Sequence, residues 1–161
     1  MSDTVIIGVG NPFRGDDGVG RIVSQRLKAK LPPGAEVFES IGEALSLMEL
    51  WGSAPKVILI DAAEAGEAPG AVSRMDASLE ALPSAYFHMS THAFSVAEAI
   101  EMARSLGQLP DNVIVYGIQG ASFEHGEGLS PAAERGAAEA VKRILEEISN
   151  TNRNTNHNNN T

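Results

Sequence analysis

The chain of 161 residues contains no cysteine, which excludes disulfides, a thiolate nucleophile and a sulfur-ligated zinc site. Positive charge is scarce, since 12 lysines and arginines stand against 21 aspartates and glutamates and leave a net charge of −9. This balance disfavours a nucleic acid backbone as the main ligand. The sequence also lacks the apolar run of about 18 residues that a membrane span needs, and its start lacks the features of a signal peptide. We therefore expect a cytoplasmic protein with no nucleic acid or membrane partner.

The remaining composition is that of an ordinary globular domain. Hydrophobic residues make up 43% of the chain and charged residues 20%. The last twelve residues differ, because seven of them are asparagine and such a segment cannot bury a core. We predict one domain over residues 1–149 and a disordered tail over residues 150–161.

Apolar, strand-like runs alternate along the chain with amphipathic helical patterns. The predicted strands are Val5–Ile7, Ala35–Glu39, Lys56–Ile60, Asn112–Ile118 and an edge strand at Ala71–Met75. The predicted helices cover roughly residues 18–30, Gly42–Trp51, a segment from Thr91 or Ser95 to Gly107, and a last segment that begins at Ser130-Pro131. This alternation predicts an α/β fold, a three-layer sandwich in which a mostly parallel sheet of about five strands carries helices on both faces.

The stretch from Val5 to Gly20 is the most informative part of the sequence. A β-branched apolar run is followed by a loop rich in glycine and then by the start of a helix. Two carboxylates, Asp16 and Asp17, come at the start of that helix, where its dipole favours negative charge.

Three side chains occupy matching places in this topology. Asp17 follows the first strand, Asp61 ends the strand at 56–60, and His92 lies in the loop that enters a helix. Ligands of open α/β sheets bind beyond the carboxyl ends of the strands, where such loops meet. Two carboxylates and one imidazole suit a borderline divalent metal such as nickel, zinc or iron better than calcium.

Each of these residues also has a purely structural interpretation. Asp16 and Asp17 are typical caps of a helix start, and an aspartate such as Asp61 after a buried strand is often a turn former. A lone histidine at a helix start is also often structural. We interpret His88 as a bystander and His125 as a residue of a surface loop.

A dinucleotide site is a weak alternative for the first loop. Gly8 and Gly10 begin like its fingerprint, but the third glycine would fall on Phe13. Pro12 lacks the amide proton that a phosphate would accept, and the two carboxylates would repel a pyrophosphate.

Four motifs, in order along the chain, together resemble the hydrogenase maturation protease family. They are GVGNPFRGDDGVG, ILIDA with Asp61, STHAFSV with His92, and GIQGASFEHGEGLSP. The resemblance covers the chain to about Ile148. It implies a cytoplasmic endopeptidase that removes a short C-terminal extension from the large-subunit precursor of a nickel–iron hydrogenase once nickel has been inserted.

The resemblance further implies that Asp17, Asp61 and His92 contact the metal and form the catalytic site. Our hypothesis is that they bind the nickel already held by the cysteines of the client, so that cleavage follows metallation. Nickel is then supplied by the substrate, although another divalent metal can occupy the site in vitro. The chain has no HExxH motif and no G-x-S-x-G elbow. A monomer would suffice for this reaction.

Two alternatives stay open at this point. A chaperone that binds metal or hydrogenase without cleaving it would keep the same recognition residues. The opening GVGNP is also similar to that of peptidyl-tRNA hydrolase, although the next motif of that family is absent and the charge of −9 is unfavourable for binding tRNA. The segment Ser40–Glu43 departs from the glycine–threonine turn of many maturation proteases, which bears on how a substrate is held.

Overall fold

A computed structural model describes residues 3–83, 86–87 and 96–157, and from residue 151 onward it describes the backbone alone. Strands and helices alternate through most of these residues. The strands are β1 (Thr4–Val9), β2 (Ala35–Ser40), β3 (Lys56–Ala63), β4 (Val72–Asp76) and β5 (Asn112–Gln119). The helices are α1 (Val19–Lys28), α2 (Ala44–Trp51), α3 (Val96–Ser105) and α4 (Pro131–His157), and a 3₁₀ turn (Gly15–Gly18) precedes α1. Within the described residues, no helix combines the length and apolarity that a membrane span requires.

The strands form one sheet in the order β2-β1-β3-β5-β4. All neighbouring pairs are parallel except that of β4 with β5, which places an antiparallel strand at one edge. The predicted mostly parallel sheet of about five strands is thereby confirmed.

Strand β3 continues past the end of its neighbour β1. The pairing of β1 with β3 ends at Gly8 and Ile60, whereas the pairing of β3 with β5 continues to Ala63 and Gln119. Asp61 therefore lies inside a strand, and the prediction that the strand ends there was wrong. The reason is that β5 supplies hydrogen-bond partners for residues that β1 no longer reaches.

Helices cover both faces of the sheet. Because side chains alternate along a strand, Val57 and Leu59 of β3 face α2 and α3, while Ile58 and Ile60 face α1 and α4. All four are fully buried. The core thus consists of two apolar layers with the sheet between them, as a three-layer sandwich requires.

Helix α1 lies unusually close to the sheet because glycines form its contact. A Cβ atom at Gly20 would lie 2.2 Å from the carbonyl oxygen of Ile60, and one at Gly8 would lie 2.3 Å from the carbonyl oxygen of Gly20. Only glycine permits this approach of helix and strands. It brings the beginning of α1, and the 3₁₀ turn before it, against the carboxyl ends of β1 and β3.

The last helix begins where the sequence predicts. Ser130 caps α4, since its hydroxyl accepts a hydrogen bond from the Ala133 N–H at 3.2 Å, and Pro131 is the first helical residue. The helix continues to His157, so the backbone of residues 150–157 is helical where disorder is predicted. Neither proline nor glycine interrupts the chain after Gly136, and asparagine weakens a helix without stopping it.

Candidate metal and active site

Asp17 is held by the glycine loop that follows β1. It lies in the 3₁₀ turn, is only 2% exposed, and accepts a hydrogen bond of 2.8 Å at Oδ2 from the Asn11 N–H. The loop presses closely on the turn, because a Cβ atom at Gly10 (φ +143°) would lie 1.8 Å from the carbonyl oxygen of Asp17. Glycine is therefore required at position 10, and the carboxylate is fixed at the carboxyl end of β1.

Asp61 is buried in the part of β3 that extends beyond β1. Its side chain is on the α2 and α3 side of the sheet by alternation with Leu59, and its Oδ1 accepts the Ala62 N–H at 2.8 Å. Burial raises the pKa of the Asp61 carboxyl well above its usual range, and the charge of Asp17 raises it further, whereas the bond from Ala62 acts in the opposite direction.

The structure thus brings Asp17 and Asp61 together, although they lie 44 positions apart along the chain. Each carboxylate disfavours the charge of the other, and neither is exposed enough for water to offset this cost. A divalent cation placed between them would remove both penalties. The two carboxylates therefore fit a divalent metal site.

The third predicted ligand, His92, lies outside the described residues, and so does His88. Among the residues that the structure does describe, no group of three histidines, cysteines or acids could hold a metal. The described flanks of this segment are nevertheless informative. Phe87 pairs with Ala63 at the end of β3, two residues after Asp61, and α3 begins at Val96 on the face of the sheet to which Asp61 belongs.

Asp16 has a structural role that differs from the predicted helix cap. Its Oδ2 accepts the backbone N–H groups of Ala121 at 2.7 Å and Ser122 at 3.2 Å, and it accepts the hydroxyl of Ser130 at 2.7 Å. Its Oδ1 accepts the Ser130 N–H at 2.7 Å. Burial opposes ionisation of this carboxyl, but these hydrogen bonds prevail and lower its pKa. Asp16 therefore joins the turn before α1 to the loop after β5.

That loop, residues 120–130, lies against the segment that precedes and begins the 3₁₀ turn. The Gly15 N–H donates to the Gly126 carbonyl at 2.9 Å, and the Gly126 N–H donates to the Phe13 carbonyl at 2.9 Å. Beside the loop lies an open cleft of about 540 Å³, whose lining includes the acidic residues Glu64 and Glu124. His125, in the same loop, is exposed to solvent.

Sequence reasoning did not find the contacts of Asp16, because its partners are more than 100 residues away in the chain. We expect Asp16→Ala to lower the free energy of unfolding by about 2 kcal/mol, since the hydrogen-bond donors of three residues lose a buried, charged acceptor together. Chemical denaturation would measure this loss, and hydrogen exchange would show faster exchange at the amides of Ala121 and Ser130. Asp111→Ala, at an exposed aspartate, is the control. Unchanged protection of those amides would contradict the proposed link.

Comparison with known proteins agrees with this architecture. A family model described as hydrogenase maturation protease matches residues 21–147. A protein of Methanocaldococcus jannaschii that carries the same description is 32% identical over 155 residues, which cover 91% of this chain and 96% of that protein. The hydrogenase 2 maturation protease of Escherichia coli is 24% identical over 145 residues, which cover 88% of this chain and 87% of the relative.

Solved structures show the same fold. The hydrogenase maturating endopeptidase HybD from E. coli superposes with a TM-score of 0.77 at 21% identity, over 94% of each chain. The [NiFe] hydrogenase maturation protease HycI from Thermococcus kodakarensis superposes with a TM-score of 0.69 at 25% identity, over 92% of this chain and 93% of that one. The family model and the M. jannaschii relative favour a peptide hydrolase over a peptidyl-tRNA hydrolase. The chain belongs to the hydrogenase maturation protease family.

Proposed function

We propose that this endopeptidase removes the C-terminal extension of the large-subunit precursor of a nickel–iron hydrogenase after nickel has been inserted. The observation that carries the proposal is the pair of buried carboxylates, Asp17 and Asp61, which meet at the carboxyl edge of the sheet in a member of this protease family. Their chemistry suits a divalent metal, and the carboxyl edge is where sheets of this kind bind their ligands.

His92 is the third metal-binding and catalytic residue in this proposal. Its support comes from the described flanks of its segment, because Phe87 pairs with β3 next to Asp61 and α3 packs on the same face of the sheet. An imidazole added to two carboxylates makes a mixed nitrogen and oxygen donor set, which nickel and zinc accept more readily than calcium does.

Nickel enters this reaction as part of the client, and a different divalent metal can occupy the same residues in vitro. The metal would supply a fixed point from which the scissile peptide is positioned. This chain holds in place the two carboxylates that would bind the metal. Asn11 orients Asp17 through its backbone N–H, and Ala62 orients Asp61 in the same way. Cleavage would then depend on metallation, because a client without nickel offers these carboxylates no metal ion to bind.

The place of action that we propose is the cytoplasm, and the active form a monomer. A chain without cysteine has no need of an oxidising compartment. Asp17, Asp61 and the loop at 120–130 all come from one chain, so the described part of the site is assembled without a second copy.

The deciding experiment incubates the purified protein with nickel-loaded and nickel-free large-subunit precursor of the hydrogenase from the same organism, followed by intact-mass measurement. We expect loss of a short C-terminal peptide from the loaded precursor alone. Loss from both forms would refute nickel as the recognition element. A precursor that binds but keeps its full mass would instead support the non-cleaving chaperone.

The role of His92 is tested in the same assay. His92→Ala should abolish processing and leave the thermal unfolding midpoint unchanged, whereas His125→Ala, at an exposed loop position, should process normally. Normal processing by His92→Ala would remove this residue from the site.

A further inference from the structure

Three large apolar side chains are exposed at the edge of the sheet that holds Asp17 and Asp61. Phe13 is 60% exposed, Ile41 44% and Leu45 72%. They lie in the loop after β1, directly after β2 and in the first turn of α2. Because β1 and β2 are neighbouring parallel strands, their carboxyl ends are about 4.8 Å apart. We call these three residues together the apolar rim.

The backbone beneath Phe13 is fixed on both sides. Its N–H donates to the side-chain oxygen of Asn11 at 2.9 Å, and its carbonyl accepts the Gly126 N–H at 2.9 Å. The ring is nevertheless mostly exposed. These two bonds fix the backbone position of the exposed ring.

Ile41 is held in a similar way by its neighbours. The carbonyl of Ser40 accepts the Gly10 N–H at 3.0 Å, and the hydroxyl of Ser40 accepts the Gly42 N–H at 3.0 Å. The two turns that carry Phe13 and Ile41 are therefore tied to each other through Gly10. A surface that is ordered in advance loses little conformational entropy when it binds a partner.

The two sides of the catalytic edge differ in polarity. On the β5 side, the open cleft is lined by Glu64 and Glu124, and on the β2 side Ile41 and Leu45 are exposed. Phe13 lies between the two sides, since its carbonyl accepts the Gly126 N–H of the loop after β5. A polypeptide that crosses this edge meets an acidic wall at one end and an apolar wall at the other. An uncharged apolar stretch is therefore matched to the β2 side.

The rim is also close enough to contact a substrate near the cleaved bond. Phe13 is four residues before Asp17, so the two Cα atoms are at most about 14 Å apart. An extended substrate covers that distance in about four residues.

We propose that the apolar rim binds an uncharged apolar stretch of the client polypeptide, within about four residues of the bond that is cut. This inference rests on the proposed function, and its support is the continuity of the rim with the catalytic edge. A second copy of this chain is the competing occupant.

Steady-state processing of the nickel-loaded precursor tests the proposal. Phe13→Ser and Ile41→Ser should each raise KM about tenfold and change kcat by less than about twofold, because the rim contributes binding and not chemistry. The matched control is Leu79→Ser. This leucine is 79% exposed and follows β4, beside the amino ends of the parallel strands. It should leave both constants unchanged. Equal KM values for all three variants and the wild type would overturn the proposal.

The occupant is identified by photocrosslinking with benzoylphenylalanine at position 13 or, as control, at position 79. A crosslink from position 13 to the precursor, mapped by mass spectrometry to within about four residues of the cleavage site, supports the proposal. A crosslink to a second copy of the chain, or none while cleavage proceeds, overturns it. Absence of cleavage by the wild-type enzyme would instead refute the proposed function, so the two failures are distinguishable.

Discussion

Replacing Asp61 with asparagine is expected to abolish precursor processing while leaving the folded chain at least as stable as the wild type. The two effects have one origin. Burial and the charge of Asp17 both disfavour an ionised Asp61, so this residue lowers the stability of the metal-free fold. Asparagine has the same shape and can still accept the Ala62 N–H at Oδ1, but it brings no charge to a cation.

The expected loss of processing is at least about 100-fold, since the changed residue would contact the metal directly and even outer residues of metal sites contribute 10–100-fold. Intact-mass assays give the rate, equilibrium dialysis with Ni²⁺ alone gives the metal affinity, and urea denaturation gives the stability. Asp111→Asn is the control, at an exposed aspartate just before the amino end of β5 and therefore at the end of the sheet remote from Asp61. Retained processing and nickel binding in Asp61→Asn would show that this carboxylate is not a ligand.

Replacing Glu147 with glutamine is expected to give the second large effect, on stability and not on catalysis. Glu147 lies on α4 and binds three residues of the sheet. Its carboxylate contacts the Lys56 Nζ at 2.9 Å, the Arg74 Nε at 2.7 Å and the Tyr116 hydroxyl at 2.5 Å. The side chains of Glu147 and Lys56 are only 14% and 12% exposed. The cluster therefore holds the C-terminal helix against β3, β4 and β5.

We expect Glu147→Gln to lower the free energy of unfolding by about 3 kcal/mol at neutral pH, because removing one member of a buried ion pair leaves the other charge unpaired. Chemical denaturation measures the difference. Glu146→Gln, at the exposed neighbouring position on the same helix, should have almost no effect. Equal stability of the two variants would show that the cluster contributes nothing.

The same cluster predicts how stability depends on pH. Burial opposes ionisation of Glu147, but hydrogen bonds from Arg74, Tyr116 and Lys56 prevail and lower its pKa from 4.5 to about 2. Since the folded pKa lies below the unfolded one, this stabilisation is fully present above pH 4.5 and is lost as the pH falls toward 2. The stability difference between wild type and Glu147→Gln should therefore shrink over that interval. A difference that stays constant would contradict the assigned pKa.

The order of strands and helices could be predicted because its signals are local. An apolar run predicts a strand at Lys56–Ile60, and a capping serine followed by proline predicts a helix start at Ser130-Pro131. The structure contains both elements at these places. The end of β3 could not be predicted in the same way. Its last residues pair with β5 alone, and the local sequence of β3 does not indicate how far β5 extends beside it.

Asp16 and Asp17 show where local reasoning stops. They are adjacent, chemically identical and almost equally buried. Asp17 accepts a bond from Asn11 within its own loop, and its charge acts on Asp61, whereas Asp16 binds Ala121 and Ser130 from the other end of the chain. The sequence resemblance already selected Asp17 as the ligand, but the interactions that distinguish the two residues are tertiary: that of Asp17 with Asp61, and those of Asp16 with Ala121 and Ser130.

The sequence by itself determined the fold class, the family and the candidates Asp17, Asp61 and His92, because apolar periodicity, glycine loops and motif order are properties of short segments. Only the tertiary structure decided which side chains meet. It placed Asp17 beside Asp61, joined Asp16 to the loop after β5, and left Phe13 exposed next to the site. The physical reason is that burial, charge repulsion and long-range hydrogen bonds depend on distances in space, which neighbouring residues in the chain do not specify.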